Sequence, residues 1–309
     1  IGSIIELLRN PFLSEDEMNE FCSRIIKTFE KVERFRLAII EKSKLIEEEK
    51  AKEEQEKGFT EVKGNDSEDE DAEEEEIDDI NRELDEEQTD IENILVAIAD
   101  LFGSIFKSHK EKSLCLVTKL QSEILPKYFN NPNASLFEIK LGIFVLDDMV
   151  EFLGERIIPH LWGDVMKVLV LYSNHKEHDL RQAALHGVGE MVINSINYSL
   201  YNSTFLDCFT NAVKAFPKDE DNEEEWGYAH DNVTIGCGKV IETTINKNEG
   251  VELKSWVRLY VENSPVKYDE EDAQNKNEIF IRLVKNYSSV MLGSNNENLV
   301  DIVIAFLKM

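Results

Sequence analysis

The residues of this chain that could do chemistry are few, and their spacing argues against most of it. His175-Lys176-Glu177-His178 places two imidazoles three residues apart in a loop; such a pair holds zinc only where further ligands converge, and none lies close in sequence. Asp147 and Asp148 could share a cation or a proton, but neighbours on a helix point ~100° apart, and the pair reads as helix contacts. Gly187-Val188-Gly189 and Gly236-Cys237-Gly238 look like half of a dinucleotide fingerprint, without the third glycine or the preceding strand that cradle a pyrophosphate. No nucleophile elbow, phosphate loop or HExxH helix occurs, and none of the six histidines sits in a triad context. The expectation is a protein that is not an enzyme, with no catalytic, cofactor-binding or metal-ligating residues and no cofactor.

What remains is charge. Residues 47–92 hold 24 Asp and Glu against 5 Lys and Arg, so this stretch supplies 19 of the 29 net negative charges. Its densest part runs through Glu68, Asp69, Glu70, Asp71, Glu73, Glu74, Glu75, Glu76, Asp78 and Asp79. Two readings stand: a solvated tether, or a surface that captures basic proteins such as ribosomal proteins or histones. The second would act by attraction screened over ~8 Å at physiological salt. Direct nucleic-acid binding is not expected, because phosphate contacts need a Lys and Arg stripe and none is visible. No membrane partner is expected either, since no apolar run approaches the ~18 residues of a span and no signal-peptide pattern opens the chain.

Cys22, Cys115, Cys208 and Cys237 are widely spaced in apolar helical contexts and read as free buried thiols in a reducing compartment. The sequons at Asn133, Asn197, Asn202, Asn232 and Asn286 are what an Asn-rich chain carries by chance. The opening Ile1-Gly2-Ser3 lacks a methionine and reads as the start of a piece of something longer.

The elements that would position these groups are all helical. Met18, Phe21, Ile25, Phe29, Val32, Ile39 and Ile46 draw one apolar stripe along a long helix spanning 14–57 with Ser14 as N-cap. The stripe fades into a solvated extension. Residues 58–83, and above all 65–79, are too charged and too poor in apolar groups to offset the entropy of ordering, and are expected to form a disordered insertion between two helices of one hairpin. From 84 to 309 helices alternate with short breaks, at about 112–129, 135–153, 156–173, 178–195, 202–216, 224–246, 251–262, 271–289 and 296–308.

The chain also repeats itself. Leu180-Arg181-Gln182-Ala183-Ala184-Leu185-His186-Gly187-Val188-Gly189 and Ala229-His230-Asp231-Asn232-Val233-Thr234-Ile235-Gly236-Cys237-Gly238 follow one plan at a spacing of 49 residues, and the segment from Lys140 aligns loosely with that from Arg181. Mid-helix glycines sacrifice ~1 kcal/mol each against alanine, so a neighbouring helix must press close there. A period near the ~40–47 residues of HEAT-type helical pairs predicts one all-α solenoid of antiparallel helix pairs over 1–309. Asp147, Asp148, Arg181, Gly187, Gly189, Asn232, Gly236 and Gly238 are accordingly residues of the structural repeat.

Four passages carry a resemblance: Ile98 to Lys112 (IADLFGSIFKSHKEK), Gly142 to Glu151 (GIFVLDDMVE), Leu180 to Gly189, and Val290 to Leu299 (VMLGSNNENL). In this order they resemble the karyopherin-beta family of nuclear transport receptors, and within it the importin five (karyopherin beta-three) subfamily, carboxy-terminal part. The resemblance implies a HEAT-repeat arch that binds protein cargo and shuttles between cytoplasm and nucleus by touching Phe-Gly nucleoporins. It also implies that the GTPase Ran, in its GTP form, releases the cargo. It further implies that Arg181 bridges Asp side chains of adjacent repeats. Grooves near Phe144, Leu146, Leu169 and Phe205 are expected to accept single Phe side chains. The competing readings are a HEAT scaffold subunit of a phosphatase or condensin complex, which would share the repeats but not passages 98–112 and 290–299, and an acidic chaperone of basic proteins.

Overall fold

The computed structural model describes residues 13–57, 68–215, 223–247 and 250–309, with 53–57, 68–78 and 270–272 as backbone only. All regular structure among the described residues is helical. By contact density the chain forms two compact units, Ile1–Ser104 and Ile105–Met309.

In the first unit, α1 (Glu15–Lys57) opens on a reciprocal capping box: the Ser14 hydroxyl oxygen accepts from the Glu17 N–H at 3.4 Å while the Glu17 carboxylate accepts from the Ser14 N–H at 2.9 Å. The apolar stripe is real, for Met18, Ile25, Phe29 and Ile39 are buried. Its partner is the following helix, α2 (Glu68–His109). Phe29 meets Phe102 at 5.7 Å between ring centres, and Arg36, 2% exposed, donates to Glu92 at 2.9 Å. Advancing from 29 to 36 on α1 retreats from 102 to 92 on α2, so the two run antiparallel.

The acidic run is not the irregular insertion expected of 58–83. From Glu68 its backbone is helical and forms the first turns of α2, while 58–67 lie outside the described residues. Two effects favour this: Glu is among the better helix formers, and carboxylates at a helix amino end complement the positive pole of its dipole.

The second unit contains α3 (Leu114–Lys119), a π-helical turn at Leu120–Ile124, and α4 (Leu125–Phe129). Next come α5 (Leu136–Phe152), α6 (Gly154–Ile157), α7 (Trp162–Tyr172), α8 (His178–Asn194) and α9 (Asn202–Lys214). They are followed by α10 (Glu223–Lys247), α11 (Lys254–Asn263), α12 (Glu270–Asn286), α13 (Ser288–Leu292) and α14 (Leu299–Lys308). The helix expected over 156–173 is broken, because Pro159 lacks an N–H and disfavours helical geometry at the residue before it; Ile158 has φ −119° and ψ 47°. Likewise the helix expected to reach 289 stops at Asn286, where Tyr287 leaves helical geometry.

One row of helices runs α5, α8, α10, each packed on the next, and a second row is laid against it: α7 on α8, α9 on α10, α11 on α10. Within the second row, large buried rings bind neighbouring helices. Trp256 on α11 is fully buried, meets Phe209 of α9 edge-on at 5.7 Å, and donates its indole N–H to Asn202 at 2.8 Å. No helix of the described residues is long and apolar enough to cross a membrane.

Candidate functional site

The seam between α5, α8 and α10 gathers several of the repeat residues singled out from the sequence. Its glycines do what their helix-breaking chemistry suggested. A methyl on Gly187 would overlap the Asp147 carboxylate of α5, and one on Gly236 would overlap the Phe209 ring of α9. Gly189 brings α8 so close to α10 that a Cβ there would stand 3.5 Å from the Gly236 Cα, and a Cβ on Gly238 would lie 3.1 Å from the Tyr260 hydroxyl.

Ion pairs join successive helices as rungs, two across this seam and one beyond it. Lys140 of α5 binds Asp179 of α8 at 2.6 Å, Glu190 of α8 binds Lys239 of α10 at 2.6 Å, and Glu242 of α10 binds Arg282 of α12 at 2.5 Å. Asn232 donates from α10 to the Gln182 carbonyl of α8 at 3.2 Å. Of these, the Glu190–Lys239 pair is the most enclosed, its side chains 12% and 13% exposed.

Arg181, for which the family resemblance implied a bridge to a neighbouring repeat's Asp, contacts the loop that precedes its own helix. Buried to 1% exposure, it donates to the carbonyls of His175 and Lys176 at 2.9 and 3.3 Å and meets the His178 imidazole. It therefore clamps the loop before its own helix. Burial lowers its pKa to about 10, which leaves the guanidinium charged at neutral pH. Of the two histidines expected in a loop, His178 instead opens α8, and His175 stays in the loop, where its Nδ1 accepts from the Glu177 N–H at 3.2 Å.

Asp147 and Asp148 separate as their angular offset requires: Asp147 is buried on the α8 side and Asp148 is partly exposed. Asp147 Oδ1 has no hydrogen-bond partner. Burial drives the Asp147 carboxyl well above the usual carboxylate range, and the charges of Asp148 and Glu190 push the same way. A carboxyl whose folded pKa is raised holds more protons folded than unfolded, so its contribution to stability falls as pH rises from about 3.8 through the raised value. With no added metal, Asp147→Asn should gain ~1–2 kcal/mol at neutral pH, and the gain should vanish below the usual carboxylate range. Urea midpoints of both proteins across this pH span check it; a constant difference would reject it.

Three groups that the sequence reading passed over come together here. Glu151 of α5 with His186 and Glu190 of α8 offer ligand-type atoms all within 4.8 Å of one another. Burial first, then the Glu190 charge, raises the Glu151 pKa. The only sequence signal was the spacing of 186 and 190, one turn apart; Glu151 is 35 residues away, and no linear motif joins them.

The acidic candidates lie in the other unit. Glu68, Asp69, Glu70, Asp71, Glu73, Glu74, Glu75, Glu76 and Asp78 sit on the first turns of α2, where only backbone is described, and Asp79 is exposed and pairs with Arg82 at 3.1 Å. Of the expected groove residues, Leu146, Leu169 and Phe205 are buried in the core and only Phe144 is partly exposed. Leu146 does reach the floor of an apolar cleft of about 390 Å³ lined also by Leu125, Pro126, Phe129, Leu161 and Val165. Cys22, Cys208 and Cys237 are buried thiols as expected, whereas Cys115 is half-buried. No protein-family model matches the chain.

Proposed function

We propose that this chain is a segment of a karyopherin-beta nuclear transport receptor, built as a HEAT-repeat solenoid, and that its acidic helix captures basic cargo. The observation that carries the architecture is the recurring seam: α5, α8 and α10 stack in order, with small residues at the closest approaches and one ion pair per step. Stacking of this kind is how repeat proteins bury a core that no one repeat could bury alone. The transport role rests on the four passages of family resemblance. Capture of basic cargo such as ribosomal proteins or histones rests on the charge of residues 47–92. Ran and Phe-Gly nucleoporins are the further partners this reading implies, with cytoplasm and nucleus as its compartments. Recognition rather than catalysis is the chemistry on offer.

A dense run of negative charge attracts basic segments over the screening length without requiring one fixed geometry. Deleting residues 65–80 should weaken binding of a basic ribosomal protein by about tenfold at ~50 mM salt, and the difference should shrink as salt shortens the screening length. Equal affinity of both proteins at low salt would end the capture reading. Transport is tested separately: Ran-GTP should strip bound cargo and Ran-GDP should not.

A further inference from the structure

Two side chains one turn apart on α5, Asp147 and Glu151, face two residues one turn apart on α8, His186 and Glu190. The facing is fixed by two contacts: the ligand-type atoms of Glu151, His186 and Glu190 all lie within 4.8 Å of each other, and Asp147 Oδ1 presses on Gly187, the residue after His186. Spacing of four residues is what puts each pair on a common helix face.

We propose that this crossing is a divalent transition-metal site of the zinc class, with Glu151, His186 and Glu190 as ligands and water completing the shell. The donor set decides the class. One imidazole nitrogen with two carboxylate oxygens suits zinc, which takes His and Glu ligands at ~2.0–2.2 Å and leaves an open position when only three come from protein. Magnesium and calcium prefer oxygen alone. Three donors around one zinc stand ~3.4 Å apart, so side-chain rotation within the present spacing brings them to bonding distance with no movement of either backbone.

A second observation points the same way. Asp147 is a carboxylate 7% exposed with an oxygen that no hydrogen bond satisfies, one turn behind Glu151. Burying a carboxylate is costly; Lys239 offsets part of that cost, and a dication one turn away would offset more. Glu190 already serves a rung: its Oε1 holds Lys239 at 2.6 Å and its Oε2 lies 3.4 Å from Asn194 Nδ2. The geometry leaves Oε2 for the metal while Oε1 keeps the lysine. Lys107 and Lys110 are the other cations near Glu151, and their ammonium groups lie 5.3 and 5.9 Å from the centre of the Phe152 ring.

The site is independent of the transport reading and is tested on the whole chain by isothermal titration with zinc chloride alone, and with cobalt(II) followed by visible absorption. One zinc equivalent should bind, with cobalt bands of low-coordinate N and O ligation. Glu151→Gln and His186→Gln should each weaken zinc at least about tenfold and remove the cobalt bands, whereas His160→Gln, on an exposed loop histidine, should change neither. Glu151 is exposed, so its isosteric amide decides the matter even where the His186 variant is unstable. Wild-type affinity in both ligand variants, or zinc uptake lost on deleting residues 65–80 instead, would overturn the assignment.

Discussion

Asp231→Ala should lower stability by ~2–4 kcal/mol in urea denaturation, among the largest losses available to any surface-distant polar residue. Asp231 is 1% exposed on α10, and its Oδ2 accepts three backbone N–H groups in a row, from Lys267 at 3.1 Å, Tyr268 at 2.6 Å and Asp269 at 3.0 Å. These belong to the turn that leads into α12. Burial pushes the Asp231 pKa up and the three donors pull it down, with burial the larger effect. Truncation leaves three donors without their acceptor, and donors lost in a half-buried turn recover only part of their bonding from water. Asp231→Asn keeps one acceptor oxygen and should lose less than half as much. An alanine variant within about 0.5 kcal/mol of the parent would show that the turn holds itself.

Gly236→Ala should destabilise by ~2–3 kcal/mol, against the sign that helix propensity alone predicts. In an open helix this change gains up to ~1 kcal/mol. Here the new methyl would drive into the Phe209 ring, which is itself fully buried and packed on Trp256, so neither ring has room to yield. Gly187→Ala meets Asp147 and Leu169 and should fall in the same class. The control is Gly163→Ala near the start of α7, where nothing lies within 4 Å of the added methyl and the change should be neutral or stabilising. If chemical denaturation ranks all three alike, close packing is not why the seam carries glycine.

Legibility in the sequence followed the range of the interaction. Ser14 and Ser135 cap their helices through partners three residues on, and a local pattern of that length can be read directly. Repeating glycines were legible because each leaves an intrinsic penalty that only a neighbour can justify, although which neighbour was not. Gly187 meets α5, but Gly236 meets α9, in the other row. The acidic stretch misled because composition measures its failure to bury surface and says nothing of the helix dipole it complements. The rungs carried by Lys140, Lys239 and Arg282 had no local signature, since each pairs with a residue 39, 49 or 40 positions away. Glu151, His186 and Glu190 were beyond any linear reading, since they meet only after α5 and α8 are packed.

Where Gly189 lies against Gly236, two helix backbones approach closely, with the Lys239 stem as the side chain beside the Gly189 face. Knobs seated in holes would lock the angle between those axes; a smooth contact lets one cylinder roll on the other like a knuckle. The pin beside it, Lys239 on Glu190, is a long flexible stem that tolerates such rolling without letting go. The contact between α8 and α10 is therefore the place where the angle between two neighbouring helices can shift with least disturbance to packed side chains.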